Sequence, residues 1–250
     1  MQDLLLGIVQ GITEFLPISS SGHLILFNNF FQDTNIDISM LTLLHLGTLG
    51  SIVFFYKSEV IKIIINPLEE KDTLIKILIG ILPAGLVGVF TNISETIINS
   101  SNILLYTGIA YLVLSILLYL SKNISEGQKS ILQITNVEVV YIGIAQAIAL
   151  VPGISRAGIT LVAALLIGMK KKDALLFSFL LGIPTISGAW VFSLITYGAN
   201  YSLLSIIATL LAFSSGLIAI RILVNFTLDS NLYKFSIYTL ALGLMSIYVY

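Results

Sequence analysis

Residues 7–22 read GIVQGITEFLPISSSG, and residues 143–158 read GIAQAIALVPGISRAG. Gly7, Ile8, Gln10 and Ile12 recur as Gly143, Ile144, Gln146 and Ile148, an offset of 136. After a one-residue gap, Pro17 and Ile18 align near Pro152, Gly153 and Ile154 at an offset of 135, and Gly47 recurs as Gly182 at 135 again. Single identities between apolar segments arise by chance. The steady offset and the shared order of elements are the better evidence for an internal repeat. Each stretch is apolar but interrupted. Residues 5–30 are broken by Glu14, Pro17, Ser19-Ser20-Ser21, Gly22 and His23, and residues 139–168 by Pro152, Gly153, Ser155, Arg156 and Gly158. Proline and glycine in mid-segment stop a helix. The backbone groups so freed must be satisfied by protein or by a wet cavity when they lie in a membrane. Each stretch therefore predicts two half-helices around a polar tip, re-entrant rather than a single kinked span.

Outward from these stretches the chain is spanning material. Apolar runs cover roughly 39–56, 74–91, 103–121, 174–197, 203–225 and 234–250, each about the length a bilayer needs. Polar breaks separate them, among them KSEVIKIIINPLEEKDTLIK (57–76), SKNISEGQKS (121–130) and GMKKKD (168–173). The composition agrees: of 250 residues 57% are hydrophobic and 10% charged, with a mean hydropathy of +1.01. A soluble domain carries about 25% charged residues, so this chain lacks the means to cover a water-facing surface. A net charge of -1 and the absence of any basic stripe argue against nucleic acid as a partner. Without cysteine there are no disulfides, thiol chemistry or cysteine zinc sites. MQDLLLGIVQ lacks the positive n-region of a cleaved signal peptide, so residue 1 is read as part of the mature fold.

The expected architecture is an all-α integral membrane protein, a single membrane domain over 1–250 with internal repeats at approximately 1–121 and 138–250. Each half is a re-entrant broken-helix hairpin followed by three transmembrane helices. Three is odd, so the second half lies upside down relative to the first, an inverted-topology repeat that places a site near the midplane. Charge tests this threading. It puts the loops 57–76, 121–138, 168–173 and 226–234 on one face. Lys57, Lys62, Lys71, Lys76, Lys122, Lys129, Lys170, Lys171, Lys172 and Lys234 fall there, and Arg221 lies in the last turn of a span that ends there. The twelfth basic residue is Arg156, inside the second broken segment; the opposite loops, about 92–102 and 198–202, have none. By the positive-inside rule the basic face is cytoplasmic and both termini lie outside.

Ionisable groups within a membrane are costly and point to function. Glu14, His23, His45 and Arg156 qualify. If the tips meet, Glu14, His23 and Arg156 converge with Ser19, Ser20, Ser21, Ser155 and Thr160, and with backbone N–H groups flanked by Gly22 and Gly153. Arginine offers a planar fork for phosphate oxygens, and half-helix N-termini aim N–H groups at anions. Glu14 can serve as a base or as a ligand for Mg2+; histidine can shuttle a proton or act as nucleophile. The set suits phosphoryl transfer, in which positioning and charge neutralisation do most of the work. One arginine is little compensation for a diphosphate, so a divalent cation is expected as well. Each residue also has a plain structural reading. Glu14 and Arg156 can pair merely to hold the hairpins together, His23 and one or more serines can cap helices, and Gln10, on the face of Glu14, can be a packing amide. His45 is read as a packing or hydrogen-bonding residue of the first span.

At these residues the chain resembles the undecaprenyl-diphosphate phosphatase family, also called the bacitracin-resistance protein family, over essentially its whole length. Two motifs carry the likeness. The first is Gln10-Gly11-Ile12-Thr13-Glu14-Phe15-Leu16-Pro17-Ile18-Ser19-Ser20-Ser21-Gly22-His23; the second is Pro152-Gly153-Ile154-Ser155-Arg156-Ala157-Gly158-Ile159-Thr160. The resemblance implies removal of the terminal phosphate from undecaprenyl diphosphate, which yields the monophosphate carrier used in cell-envelope synthesis. It also implies a Mg2+ or Ca2+ requirement, a location in the cell membrane, and a site open to the extracytoplasmic face; a homodimer is possible. By matching position, Glu14 is the second acid of the first motif, His23 its histidine, Ser20 the proposed nucleophile, and Arg156 the arginine that binds diphosphate. Ser155 and Thr160 match the remaining polar positions of the second motif. Two departures stand out. Gln10 replaces a glutamate found in many members, so a metal would rely on Glu14 and the substrate. Ala157 replaces a second serine. The rival reading is a polyprenyl-phosphate transporter or flippase, since broken inverted repeats are also transporter architecture.

Overall fold

The computed structural model describes residues 2–31, 38–198 and 202–250. Where the sequence reads broken segments, two helix–break–helix units form: α1 (Gln2–Phe15) with α2 (Ser20–Phe31), and α8 (Asn136–Ile148) with α9 (Arg156–Leu166). Between them come α3 (Ile38–Phe55), α4 (Lys57–Ile65), α5 (Lys71–Phe90), α6 (Ile93–Ile98) and α7 (Ile103–Leu120); α10 (Lys171–Tyr197), α11 (Leu203–Leu228) and α12 (Phe235–Val249) complete the chain. Among the described residues there is no strand, only a single bridge between Lys129 and Met169. Five helices, α5, α7, α10, α11 and α12 with its preceding turn, are long and apolar enough to cross a membrane. Large apolar side chains such as Val89, Phe90, Ile195 and Ile237 stand more than two-thirds exposed on them, as lipid-facing residues do and water-facing ones rarely do. The chain is an all-helical membrane protein.

All six expected spans coincide with helices. The breaks do not all stay irregular: 57–76 contains α4, and 92–102 contains α6. In α4, Ile61, Ile64 and Ile65 are exposed. A window seeking 18 apolar residues passes over so short a helix, and it can form because an interface tolerates apolar side chains on one flank.

The breaks have local causes. After Phe15, Pro17 cannot continue a helix, and Ser19 takes a left-handed φ of 62°. Ser19 Oγ then accepts from Gly22 N at 3.3 Å, capping α2. In the second unit Gly153 turns the chain at φ 101°, and Ser155 Oγ accepts from Gly158 N at 3.2 Å, capping α9. The two caps and their two glycines are again 136 residues apart. α8 starts on a capping box, with Thr135 and Glu138 bonded reciprocally.

Packing follows backbone contact at small residues. Gly7 lies against the carbonyl of Ala208, and Gly11 against Ala212 and Gly216, so α1 runs parallel to α11. Likewise Gly80 meets Val139, and Gly143 meets Gly80 and Pro83, so α8 runs alongside α5. α2 descends α7 in the opposite sense: Gly22 sits on Tyr111, and Leu26 packs with Leu104 and Tyr111. α7 and α12 are antiparallel, joined by Ser115 Oγ donating to the Ser236 carbonyl at 2.8 Å and Ser246 Oγ to that of Leu104 at 2.7 Å.

The basic loops meet in one layer. Lys76 Nζ donates to the Leu132 carbonyl at 2.8 Å, and Lys171 Nζ to that of Leu228 at 2.9 Å. Backbone bonds tie Lys129 to Gly168 and Lys170 to Lys129, while Ile131 N donates to Asp173 at 3.1 Å. Lys122 lies 5.4 Å from the Tyr233 ring centroid. In the same layer a hydrogen bond from Lys62 holds the Glu70 carboxyl below the usual carboxylate range. At the other end Tyr250 OH donates to Asn102 Oδ1 at 2.7 Å. No lysine or arginine lies in the described parts of that end.

A Cβ at Gly7 would sit well inside 3.0 Å of the Ala208 backbone, whereas one at Gly85 would meet nothing within 4 Å. Gly7→Ala is therefore expected to cost about 1–3 kcal/mol and to lower the thermal midpoint in detergent by several degrees. Gly85→Ala should leave the midpoint unchanged or slightly raised. A midpoint scan of both variants checks the pair.

Candidate active site

The two breaks meet. Glu14, in the last turn of α1, receives Arg156 from the first turn of α9: Nη2 donates to Oε1 at 2.8 Å. Glu14 Oε2 accepts from Ser20 Oγ at 2.8 Å and from Gln10 Nε2 at 3.1 Å. The Glu14 side chain is 8% exposed and that of Arg156 15%. A carboxylate removed from water to this extent persists as an ion only when its oxygens are matched by donors, and three donors are in place. Gln10 and Glu14 share a helix face because they are four residues apart; Ser20 and Arg156 are each the first residue of their helix.

Around this knot lies a cavity of about 200 Å3, lined by Glu14, Ser19, Ser20, Ser21, His45, Gln146, Ser155, Arg156, Thr185 and apolar neighbours including Ala84 and Leu150. Ser94 of α6 donates to the Leu150 carbonyl at 3.0 Å, which ties the rim to the end away from the lysines. The level is about half-way along the long helices. Gly182, near the middle of α10, faces Arg156, and Phe15 packs beside Gly216 of α11.

Of the residues singled out in the sequence, Glu14, Ser19, Ser20, Ser21, Ser155 and Arg156 line this cavity. Gln10 is fully buried and serves Glu14 from behind. Gly22 and Gly153 shape the turns; each would meet a neighbouring helix if it carried a Cβ, Tyr111 and Thr107 respectively. Thr160 is buried, donating to the Arg156 carbonyl at 2.8 Å and meeting Ser178 Oγ at 2.6 Å. His23 is not among the lining residues. Its Nδ1 lies 2.7 Å from the Ser19 carbonyl, which only accepts, so Nδ1 carries the proton. Its Nε2 meets Tyr238 OH at 2.8 Å, and Tyr111 OH reaches both Nδ1, at 3.0 Å, and the Ser19 carbonyl, at 3.3 Å. His23 thus fixes the strained Ser19 turn.

His45, read from the sequence as a packing or hydrogen-bonding residue, makes a hydrogen bond within its helix and also lines the cavity. Its Nδ1 lies 2.8 Å from the Leu41 carbonyl, while Nε2 enters the cavity 3.8 Å from Glu14 Oε2. Gln146 and Thr185, joined at 3.2 Å, line the wall as well. Gln146 had one signal, its correspondence to Gln10 in the repeat. Thr185 had none, because it sits in an unbroken apolar span.

Among the described residues, three buried polar atoms of this region lack a partner: Arg156 Nη1, Gln146 Oε1 and Gln10 Oε1. A divalent cation can be tested on the same donor set. No group of three His, Cys, Asp or Glu residues converges among the described residues, and the carboxylate lining the cavity is that of Glu14. That suffices for an ion held by one carboxylate and the oxygens of a phosphate, the usual Mg2+ arrangement, but not for a protein cage.

A Cβ at Gly182 would collide with Arg156 Nη1. Gly182→Ala should displace the guanidinium from Glu14 and destabilise the protein by about 1–3 kcal/mol. In an Arg156→Ala background the same change should cost little. A double-mutant cycle on thermal or denaturant midpoints reads the difference.

Comparison with known proteins accords with this geometry. The family described as "Bacitracin resistance protein BacA" matches residues 3–245. The chain is 38% identical to a protein of Thermosipho africanus, with 100% of both chains covered, and 40% identical to one of Thermosipho melanesiensis, covering 98% of this chain and 97% of the other. A protein of Methanococcus maripaludis is 36% identical over 95% of each. All three relatives carry the name undecaprenyl-diphosphatase. With its whole length accounted for in this way, the chain belongs to the bacitracin resistance protein BacA family.

Proposed function

We propose that the protein is a membrane phosphatase that hydrolyses undecaprenyl diphosphate, or a related polyprenyl diphosphate, to the monophosphate and phosphate. The observation that carries this reading is the knot itself: Ser20 Oγ, Glu14 and Arg156 joined within 2.8 Å contacts at one cavity. A hydroxyl hydrogen-bonded to a carboxylate, beside a guanidinium, is the constellation of an activated nucleophile facing an anion. Arg156 Nη1 is buried without a partner against Gly182, a condition that costs about 1–3 kcal/mol. A phosphate oxygen that drew the guanidinium into the cavity would relieve it.

The architecture supporting this is an inverted repeat of two re-entrant hairpins. α1 advances along α11 from the lysine-free end, and α2 returns along α7 toward Leu104 at that same end. α8 advances along α5 from Leu132 in the basic layer, and the chain after α9 returns there, where Gly168 meets Lys129. Each half's first hairpin helix packs on the second span of the other half. With the basic layer cytoplasmic, both termini and the cavity rim near Ser94 face outward, and the isoprenoid tail lies in lipid against apolar helix faces.

In the first step Ser20 Oγ attacks the terminal phosphorus and passes its proton to Glu14 Oε2. The bond from that phosphorus to the bridging oxygen breaks, and the polyprenyl phosphate departs. Water then cleaves the phosphoserine and Ser20 regains its proton. Arg156 and the first N–H groups of α2 and α9, which have no intrahelical partner, hold the phosphate oxygens. Glu14 and the hydroxyls of Ser19 and Ser21 would hold a divalent cation, which would supply the remaining charge neutralisation. Both ring nitrogens of His23 are engaged, which favours the serine over the histidine as nucleophile.

The direct test is phosphate release from undecaprenyl diphosphate by purified protein in detergent. Release should need Mg2+ or Ca2+, stop with EDTA and return on repletion. Ser20→Ala and Arg156→Ala should each lower kcat by about 10²-fold or more, and a trapped phosphoenzyme should be lost in Ser20→Ala alone of these two. Binding of the lipid with no release under any metal condition would instead favour a carrier. Without substrate, calorimetry should find only weak, millimolar cation binding.

A further inference from the structure

We propose that the side-chain carbonyl of Gln146 holds the water that cleaves the phosphoserine formed on Ser20. The inference rests on the phosphatase reading above and gives its second half-reaction a residue. Gln146 lines the cavity and is 2% exposed. The direction of its amide is fixed by what stands beside it. Thr185 Oγ1 gives its one proton to the Leu181 carbonyl at 2.7 Å. Toward Gln146 it can therefore only accept, and Gln146 Nε2 donates to it at 3.2 Å. Oε1 is thereby the free end of the amide, buried with no partner among the described residues. Leaving a buried carbonyl unpaired is costly, and this one belongs to a cavity that has a ligand to receive. Gln10, the counterpart of Gln146 in the repeat, turns its Nε2 to Glu14 and is not among the lining residues.

Only a proton donor satisfies a carbonyl. The oxygens of a diphosphate or a phosphoserine are largely without protons at neutral pH, whereas water offers two. Position agrees with chemistry. Arg156 Nη2 faces Glu14, which holds Ser20, while Nη1 lies against Gly182 of α10. Thr185 follows Gly182 by three residues, about one turn further along the same face. The guanidinium thus has Ser20 on one side and the Gln146–Thr185 pair on the other. A phosphoryl group held by Arg156 lies between them. Its transfer runs in line, so the entering oxygen approaches opposite Ser20 Oγ, on the side vacated when the polyprenyl phosphate departs.

In this step the water oxygen bonds to phosphorus as the P–Oγ bond breaks, and Glu14 returns its stored proton to Oγ. Both water hydrogens leave on the product as dihydrogen phosphate, so protons and charge balance. An amide carbonyl is too weak a base to keep a proton. Gln146 orients the water and takes nothing from it.

The test follows undecaprenyl diphosphate labelled in its terminal phosphate by rapid quench in detergent. The parent is compared with Gln146→Met, which keeps the length of the side chain and loses the acceptor. The variant is expected to give a burst of polyprenyl monophosphate equal to the enzyme, to retain the label as phosphoenzyme, and to release phosphate about 10²-fold more slowly than the parent. An active parent whose Gln146→Met variant turns over within threefold, or slows with no burst and no added phosphoenzyme, overturns the proposal. So does a loss repaired by raised Mg2+, which would assign the carbonyl to a cation. A parent that releases neither product sinks the phosphatase reading, and this proposal with it. A second arm needs no turnover. A carbonyl with no structural partner can be removed without unsettling the fold, so Gln146→Met should melt no lower than Thr185→Val, which removes the hydroxyl that anchors the amide. A Gln146→Met midpoint several degrees below that of Thr185→Val gives the carbonyl a structural role and overturns the proposal.

Discussion

The ion pair between Glu14 and Arg156 is the constraint to which the rest of the structure answers. Each partner comes from a different half of the chain, 142 residues apart, and neither tolerates apolar surroundings alone. Removing one member of such a buried pair costs about 3–5 kcal/mol. Bringing them together requires two helices to stop, α1 just after Glu14 and α8 ahead of Arg156. Both interruptions satisfy their backbone with a serine cap and place a glycine at the third helical position, where its N–H is bonded. Gly182 in turn leaves room for the guanidinium. The breaks, which locally weaken the fold, are thus what allow the pair that joins its halves.

The pair also defines the chemistry. Arg156 occupies one carboxylate oxygen, so the other is left to Ser20, Gln10 and His45. A symmetric carboxylate thereby acquires one side that holds the ion pair and one that faces the serine hydroxyl. Gln10, an amide where a second acid would add negative charge, donates to the reactive oxygen instead of repelling it. Among the described residues lining the cavity, Glu14 is thus the single carboxylate.

Much of this is legible in the sequence because a membrane makes polarity conspicuous. The five long helices and α3 follow from their apolar runs, and Glu14 and Arg156 announce themselves as charges where none is cheap. Pro17 and Pro152-Gly153 mark the breaks. Less visible is what depends on rotation about a helix axis. His45 sits in a continuous span whose apolar residues show no preferred face, so nothing local tells whether its ring meets lipid, a neighbouring helix or the cavity. Thr185 is hidden in the same way. His23 shows the converse: its motif places it beside the serines, yet Tyr111 and Tyr238, distant in sequence, decide that it braces the turn. The short helices α4 and α6 escape notice because their apolar content is too brief for a span and too regular for a loop.

The packing of α1 on α11 bears on how the chain is made. α1 is synthesised first, yet the surface that receives Gly7 belongs to Ala208, about two hundred residues later. At roughly 5–20 residues per second, that interval is on the order of 10–40 s. Throughout it, the glycine face of α1 and the carboxylate of Glu14 have no final berth. The packing of α1 therefore waits on the synthesis of α11.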